Sequence, residues 1–193
     1  MIMRVLIIDN CTNYLDKIIS LLDKAYVDYS LEVTNYYNLY DNYDTKSFDL
    51  IILSGGKPKK HEELNEDQRE VYINYEKELI LNSQVPIIGI CYGFKLICET
   101  FHSNITYEPS IIKGLVDIKI VNTGDHKKVY VEHHFVTTQV GNSLMVLANS
   151  KYGIEIVNHK DRIIYGFQFH PEMVPEVQDG DEIILDVLKS IKE

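Results

Sequence analysis

Basic side chains are scarce in this chain and form no extended cluster. Its 193 residues include 19 Lys and Arg against 29 Asp and Glu, a formal net charge of −10 at pH 7. Contact with nucleic-acid phosphates needs a basic stripe on the protein surface. The one lysine-rich segment, residues 57–60, is followed almost at once by Glu62 and Glu63. The sequence therefore argues against a nucleic-acid-binding protein.

Long apolar runs and a disulfide pattern are also missing. No apolar segment approaches the length of a membrane span, and the N-terminal one stops at Asp9, too early for a signal peptide. The three cysteines, an odd number without metal-ligand spacing, favour a reducing compartment. We expect a cytoplasmic protein with no metal site, in which Cys11 and Cys98 have structural roles. Without a linker or repeat, residues 1–193 are expected to form a single domain.

Short apolar runs alternate with amphipathic segments in the first half of the chain. Buried strands are predicted at residues 5–8, 31–34, 49–53 and 85–90, and helices at residues 15–22, 62–82 and 94–101. This alternation is typical of an α/β protein with a mostly parallel central sheet. Between residues 105 and 162, short alternating stretches at 116–120, 129–131 and 144–147 predict an added region of antiparallel or edge strands. A final strand is predicted at 163–169 and a closing helix at 181–191.

Cys91 lies where the strand at 85–90 gives way to a helix, between Gly89 and Gly93. This spacing is typical of a nucleophile elbow, a strained turn that projects one side chain above the sheet while glycines permit close backbone approach. The N-terminus of the following helix favours the thiolate form of the side chain. Taken alone, the motif is equally compatible with a small, buried and inert cysteine.

His170 and Glu172 follow the last predicted strand, which places them at the carboxyl edge of the sheet, where ligands bind in open α/β folds. An activated nucleophile needs a base beside it and a group that orients the base. His170 can serve as that base, and the carboxylate of Glu172 can orient its ring. An isolated motif of this kind is more often a surface His-Pro turn.

A glycine pair, Gly55 and Gly56, directly follows Ser54 and the third predicted strand. Such a pair allows a backbone amide to point into the site, and donors aimed at a developing oxyanion are often the largest catalytic contribution. We assign the oxyanion hole to the amides of Gly56 and Tyr92. By itself, a glycine pair after a strand most often forms only a turn.

The three motifs Ser-Gly-Gly, Gly-x-Cys-x-Gly and Phe-His-Pro-Glu, in this order along nearly the whole chain, resemble those of the class I glutamine amidotransferase family. The resemblance implies a flavodoxin-like layered fold with helices on both faces of the sheet. It also implies hydrolysis of glutamine through a γ-glutamyl thioester without a cofactor, and transfer of the ammonia to a partner synthase. Cys91, His170 and Glu172 are then the catalytic triad.

Substrate-binding residues are also implied by the resemblance. These are Gly55, Lys95, His133 and Phe169. His133 is similar to a histidine that faces the synthase in guanosine-monophosphate-synthase-type members.

Two positions depart from the family pattern. Lys95 stands where members usually have a glutamine that helps to hold the substrate, and Lys57 precedes Pro58 where members have proline directly after the glycine pair. Gly93 and Phe94, followed by a charged residue, also resemble the γ-glutamyl hydrolase branch. Two alternatives therefore remain, a stand-alone hydrolase of γ-glutamyl compounds and a non-catalytic regulatory subunit with the same fold.

Overall fold

A computed structural model describes residues 2–40, 43–57, 64–173 and 178–191 of the chain. The strands are β1 (Met3–Asn10), β2 (Tyr29–Asn35), β3 (Leu50–Gly56), β4 (Ile87–Ile90), β5 (Asn104–Ile120), β6 (His126–Gln139), β7 (Leu144–Asn149), β8 (Ile154–His159) and β9 (Ile164–Phe167). The helices are α1 (Leu15–Ala25), α2 (Glu66–Asn82), α3 (Tyr92–Thr100) and α4 (Gly180–Ile191), with a 3₁₀ turn at Tyr36–Asn38. Within these ranges no helix is both long and apolar enough to cross a membrane.

The strands form one nine-stranded sheet in the order β2-β1-β3-β4-β9-β8-β7-β5-β6. The pairs from β2 to β9 are all parallel, and those from β9 to β6 are all antiparallel. The parallel half has the strand order of doubly wound, flavodoxin-like sheets, whose ligands bind beyond the carboxyl ends of the strands. The predicted fold, a mostly parallel sheet with an added antiparallel region, is confirmed.

Two apolar cores lie on opposite faces of the sheet. One contains the buried side chains of α1 and α4, and the other contains those of α2 and α3. Strands β1, β3 and β4 pack between these cores and are buried along almost their whole length, which explains their continuous apolar sequences. The layers hold the carboxyl ends of β1, β3, β4 and β9 at one edge of the sheet.

The structure differs from the sequence-based assignment in the antiparallel half. Strand β8 was not predicted, and β5 and β6 are much longer than the short stretches expected there. They pair with each other as a ribbon at the edge of the sheet, where much of β5 is exposed and its apolar periodicity is weak.

Helix α2 begins at Glu66, whereas the sequence predicts a start at residue 62. Asn65 accepts a hydrogen bond from the amide of Gln68, whose side chain in turn accepts from the Asn65 amide. This reciprocal capping box fixes the start of the helix at Glu66. The predicted helical residues 62 and 63 lie outside the described part of the chain.

Candidate active site

The strand-to-helix turn at Cys91 has the strained backbone of a nucleophile elbow. Cys91 has φ 49° and ψ −93°, a positive φ that a residue with a side chain rarely adopts. Its amide donates to the carbonyl of Phe167 at 2.7 Å, and its carbonyl accepts from the amide of Lys95 at 3.0 Å. A Cβ at Gly93 would lie 2.3 Å from the carbonyl oxygen of Leu53. The turn therefore packs so closely against β3 that glycine is required there.

The ring of His170 is fixed from several sides. Its Nδ1 lies 2.7 Å from Oε1 of Glu172, and the two side chains are only 6% and 0% exposed. The backbone amide of His170 donates to the carbonyl of Tyr130 at 2.8 Å, and Tyr14 packs edge-on against the ring at 6.2 Å. Because Glu172 occupies Nδ1, the free nitrogen of the ring is Nε2.

Gly55 lies against the side chains of both Cys91 and His170. A Cβ built at Gly55 would lie 3.2 Å from Cε1 of His170 and 3.5 Å from Cβ of Cys91. The ends of β3, β4 and β9 therefore bring the glycine pair, the cysteine and the histidine to one point. This is the juxtaposition expected for a cysteine nucleophile and its base.

The electrostatics of this cluster favour a protonated imidazole. Burial lowers the pKa of His170, but its charge interactions and hydrogen bonds with Cys91 and Glu172 outweigh that effect. The pKa of His170 is therefore raised well above its usual value. A ring of this kind can retain a proton beside a thiolate and later donate it to a leaving group.

Gly56 and Tyr92, the two residues assigned to the oxyanion hole, lie at the cavity wall. Gly56 ends β3 with φ +123°, in the region that glycine alone adopts without strain. Tyr92 is the first residue of α3, so its amide has no acceptor within the helix. Both residues line the same cavity as Cys91. Lys57 lines it too, whereas Pro58 lies outside the described residues.

The cavity has a volume of about 350 Å³, which is in the usual range for small-molecule sites. Its wall combines charged, aromatic and backbone groups. The lining residues are Gly56, Lys57, Cys91, Tyr92, Lys95, Tyr107, Glu132, His133, His134, Phe135 and Gln168. Sγ of Cys91 lies 3.8 Å from the carbonyl oxygen of Glu132, so the thiol contacts the β6 side of the wall.

Lys95 and His133, both predicted to bind substrate, lie in this wall. The ammonium of Lys95 contacts the carboxylate of Glu99 and lies over the rings of Tyr92 and Phe135, at 5.4 and 4.8 Å. The same carboxylate also pairs with Lys77 at 2.9 Å, so one negative charge is shared by two ammonium groups. Burial lowers the pKa of His133 to about 4, which keeps that ring neutral at neutral pH. His133 is 6% exposed and lies in the cavity wall.

The side chain of Phe169, a residue also predicted to bind substrate, does not line the cavity. Its ring is fully buried in the core, 5.6 Å from the ring of Phe167. A Cβ at Gly180 would lie 3.2 Å from that ring, so Phe169 packs against the start of α4. Gly55, also assigned to substrate binding, lies behind the cavity wall beside His170.

Several cavity residues escaped the sequence interpretation. Gln168 is buried, and its Oε1 has no hydrogen-bond partner in the described part of the chain. Its position directly before the Phe-His-Pro-Glu motif was a usable signal. Tyr107 reaches the cavity from β5 and stacks on His134 of β6, with ring centroids 5.3 Å apart. That contact depends on the pairing of β5 with β6, so it could not be predicted from local sequence.

The comparisons with known proteins agree with the motifs and the geometry. A family model described as glutamine amidotransferase class-I matches residues 6–189. The chain belongs to the class I glutamine amidotransferase family. It is 34% identical over 121 residues to a glutamine-hydrolyzing GMP synthase subunit of Methanosphaera stadtmanae, covering 54% of this chain and 61% of that protein. It is 32% identical over 158 residues to the glutamine-hydrolyzing GMP synthase of Ehrlichia canis, covering 76% of this chain and 29% of that protein.

The chain thus spans less than two thirds of the length of these curated relatives. Among solved structures, it is similar to a putative GMP synthase subunit of Thermoplasma acidophilum, with a TM-score of 0.79 and 20% identity over 100% of this chain and 96% of that one. It is also similar to a chain of PurLQS from Thermotoga maritima, with a TM-score of 0.74 and 16% identity over 99% of this chain and 100% of that one. These likenesses confirm the fold.

Proposed function

We propose that this chain hydrolyses the side-chain amide of glutamine, or a related γ-glutamyl amide, through a thioester on Cys91. The observation that carries the proposal is the buried pair of His170 and Glu172, joined at 2.7 Å, beside the strained elbow at Cys91. The raised pKa of His170 supports a protonated imidazole beside Cys91. The amides of Gly56 and Tyr92 supply the donors for the oxyanion.

The first half of the reaction forms the thioester. The thiolate of Cys91 attacks the amide carbon, a C–S bond forms, and the carbonyl electrons move to the oxygen, which accepts hydrogen bonds from the Gly56 and Tyr92 amides. The imidazolium of His170 then gives its proton to the amide nitrogen. The C–N bond breaks, ammonia leaves, and the γ-glutamyl group remains on the sulfur.

The second half releases glutamate. The neutral ring of His170 accepts a proton from a water molecule, whose oxygen attacks the thioester carbon. The C–S bond breaks, and the thiolate of Cys91 is restored opposite the imidazolium. Glu172 holds Nδ1 throughout, so that Nε2 keeps facing the reacting atoms.

We further propose that the chain is a glutaminase subunit that delivers ammonia to a separate synthase in the cytoplasm. Its similarity to proteins named as subunits of a glutamine-hydrolyzing GMP synthase supports this assignment. The reducing cytoplasm also suits an enzyme that depends on a free thiol. A heteromeric partner would then control the rate at which the site works.

A stand-alone γ-glutamyl hydrolase is the second candidate. Part of the cavity wall is aromatic, formed by Tyr107, His134 and Phe135, and can accommodate an amine larger than ammonia as the leaving group. Lys95 in the same wall also departs from the family pattern. The isolated chain should then hydrolyse γ-glutamyl amines faster than glutamine, whereas a synthase-dependent glutaminase should be slow until its partner is added.

The test is release of glutamate from glutamine by the wild type and by two cysteine variants. Cys91→Ala should abolish turnover while the thermal unfolding transition is retained. The matched control Cys98→Ala changes a buried cysteine of the core and should retain turnover. Undiminished hydrolysis by Cys91→Ala would refute the thioester mechanism. A wild type that neither turns over nor reacts with a glutamine-analogue electrophile would instead favour the regulatory role.

A further inference from the structure

One buried carboxyl group has no role in the proposed hydrolysis of glutamine. It lies near residues 54–56 at the end of β3, which we call the oxyanion loop because they include Gly56. Glu76 lies on α2, is fully buried, and accepts a hydrogen bond from Nδ2 of Asn10 at 2.9 Å. Burial raises the pKa of Glu76 to about 8, although the hydrogen bond from Asn10 opposes this. The group is therefore mostly protonated at neutral pH, and its interaction with Asn10 is one of hydrogen bonding more than of charge.

The position of Glu76 is unusual for a helix that packs on a core. The other buried residues of α2 are the apolar Leu79 and Ile80. Burying a carboxyl group is unfavourable unless it is hydrogen-bonded, and an apolar side chain would serve packing better. The contact with Asn10 is therefore the feature of Glu76 that calls for an explanation.

Asn10 connects Glu76 to the loop that ends β3. It is fully buried at the end of β1, and its backbone amide donates to Oγ of Ser54 at 2.8 Å. Its side-chain amide also lies 3.5 Å from the carbonyl oxygen of Ser54. Ser54 directly precedes Gly55 and Gly56, so Asn10 holds the start of the oxyanion loop.

Gly56 rests directly on the backbone of Asn10. A Cβ at Gly56 would lie 2.4 Å from the carbonyl oxygen of Asn10, and the register between β1 and β3 shifts just before Asn10 pairs with Gly56. The regular ladder is interrupted at this point. The side chain of Asn10, which Glu76 holds, reaches the carbonyl oxygen of Ser54 next to this interruption.

We propose that Glu76 is a positioning residue for the oxyanion hole, which fixes the amide of Gly56 through Asn10 and Ser54. The inference rests on the proposed function, because it assigns the Gly56 amide to the oxyanion. A misplacement of about 1 Å in a catalytic group can cost about 10²-fold in rate. Loss of the Glu76 contact should thus slow the chemistry while leaving substrate binding nearly intact.

The experiment compares kinetic constants of variants at Glu76 and at a matched site. Glu155 of β8 is also a buried carboxyl group, with a pKa raised by burial to about 7. It accepts a hydrogen bond from Oγ of Ser150 at 2.7 Å and has no contact with Asn10 in the described part of the chain. Glu76→Met should lower kcat for glutamine by about 10- to 100-fold, with KM changed by less than about 3-fold. Glu76→Gln keeps the oxygen that Asn10 requires and should restore kcat. Glu155→Met should leave kcat near the wild-type value.

A second measurement does not depend on catalysis. In ¹⁵N-labelled protein, Glu76→Met should shift the backbone amide resonance of Gly56, and Glu155→Met should not. If the wild type neither hydrolyses glutamine nor reacts with a glutamine-analogue electrophile but Gly56 shifts, the proposed function fails while the link from Glu76 to the loop stands. Should Glu76→Met not fold, Asn10→Ala removes the same link from its other end and should show the same loss of kcat.

The inference is overturned by either of two results. One is an active wild type in which Glu76→Met, or Asn10→Ala in its place, keeps the wild-type kcat. The other is a Gly56 resonance that is unchanged in Glu76→Met, or that moves equally in Glu155→Met. A fall in kcat of the same size in the Glu76 and Glu155 variants would also assign Glu76 to general packing.

Discussion

Replacing Glu172 by glutamine isolates the contribution of one buried charge to the proposed reaction. The carboxylate lies 2.7 Å from Nδ1 of His170, and its side chain is 0% exposed, so solvent does not screen the pair. Glutamine has nearly the same shape but no charge. Hydrogen bonds to charged groups contribute about 1.5–3 kcal/mol, against about 0.5–1.5 kcal/mol for neutral ones. The loss of about 1–2 kcal/mol corresponds to a decrease in kcat/KM of at least about 5- to 30-fold.

The same substitution should also change the pH profile. The pKa of His170 is raised in part by its hydrogen bond and charge interaction with Glu172. Glu172→Gln removes that contribution, so His170 loses its proton at a lower pH and the alkaline limb of kcat/KM should move to lower pH. Glutamate release measured from about pH 6 to about pH 10 gives the profile. The control Glu182→Gln removes an exposed charge of the same sign, 67% exposed, and should leave the profile in place. A rate and an alkaline limb unchanged in Glu172→Gln would refute the role of the pair.

Three further substitutions test other parts of the site and core. Gly55→Ala places a methyl group 3.2 Å from Cε1 of His170, so initial rates should show kcat lowered by about 10- to 100-fold. Lys95→Gln alters the cavity wall but no reacting atom, so saturation curves should show a larger change in KM for glutamine than in kcat. Glu76 and Glu155 have pKa values raised by burial to about 8 and about 7, so the folded protein keeps protons that the unfolded chain loses. The free energy of unfolding from urea titrations should therefore decrease as the pH rises from about 5 to about 7, by up to about 1.4 kcal/mol per pH unit for each group. Glu76→Gln should reduce that slope.

Each of these expectations has a contrary result. A wild-type kcat in Gly55→Ala would mean that the ring of His170 has more room than its contacts indicate. A change confined to kcat in Lys95→Gln would place the ammonium in the chemical step. An identical pH slope for Glu76→Gln and the wild type would show that Glu76 is not held neutral in the fold.

The parallel half of the fold follows from local sequence for a physical reason. Strands buried on both faces must be apolar throughout, so the runs in β1, β3 and β4 were recognisable without tertiary information. The elbow at Cys91 was equally recognisable, because Gly93 is the residue type that permits its close packing against Leu53. The pairing of His170 with Glu172 followed from their separation of two residues beyond a strand.

The remaining features depend on contacts between distant segments. Tyr107 joins the cavity only because β5 pairs with β6, and the weak periodicity of the exposed ribbon hides both strands. Phe169 belongs to the Phe-His-Pro-Glu motif, but its ring is buried in the core against Phe167. Glu76 lies in a helix rich in charges, and only the fold shows that it is buried and meets Asn10.

The identity of the nucleophile is tested most directly by mapping the site of covalent labelling. The wild type is treated with a glutamine-analogue electrophile, digested, and examined by mass spectrometry at the three free cysteines, Cys11, Cys91 and Cys98. We expect one equivalent of adduct on Cys91, prevented by excess glutamine, and none on the other two. An unlabelled Cys91, or labelling that is equal at Cys11 and insensitive to glutamine, would contradict it.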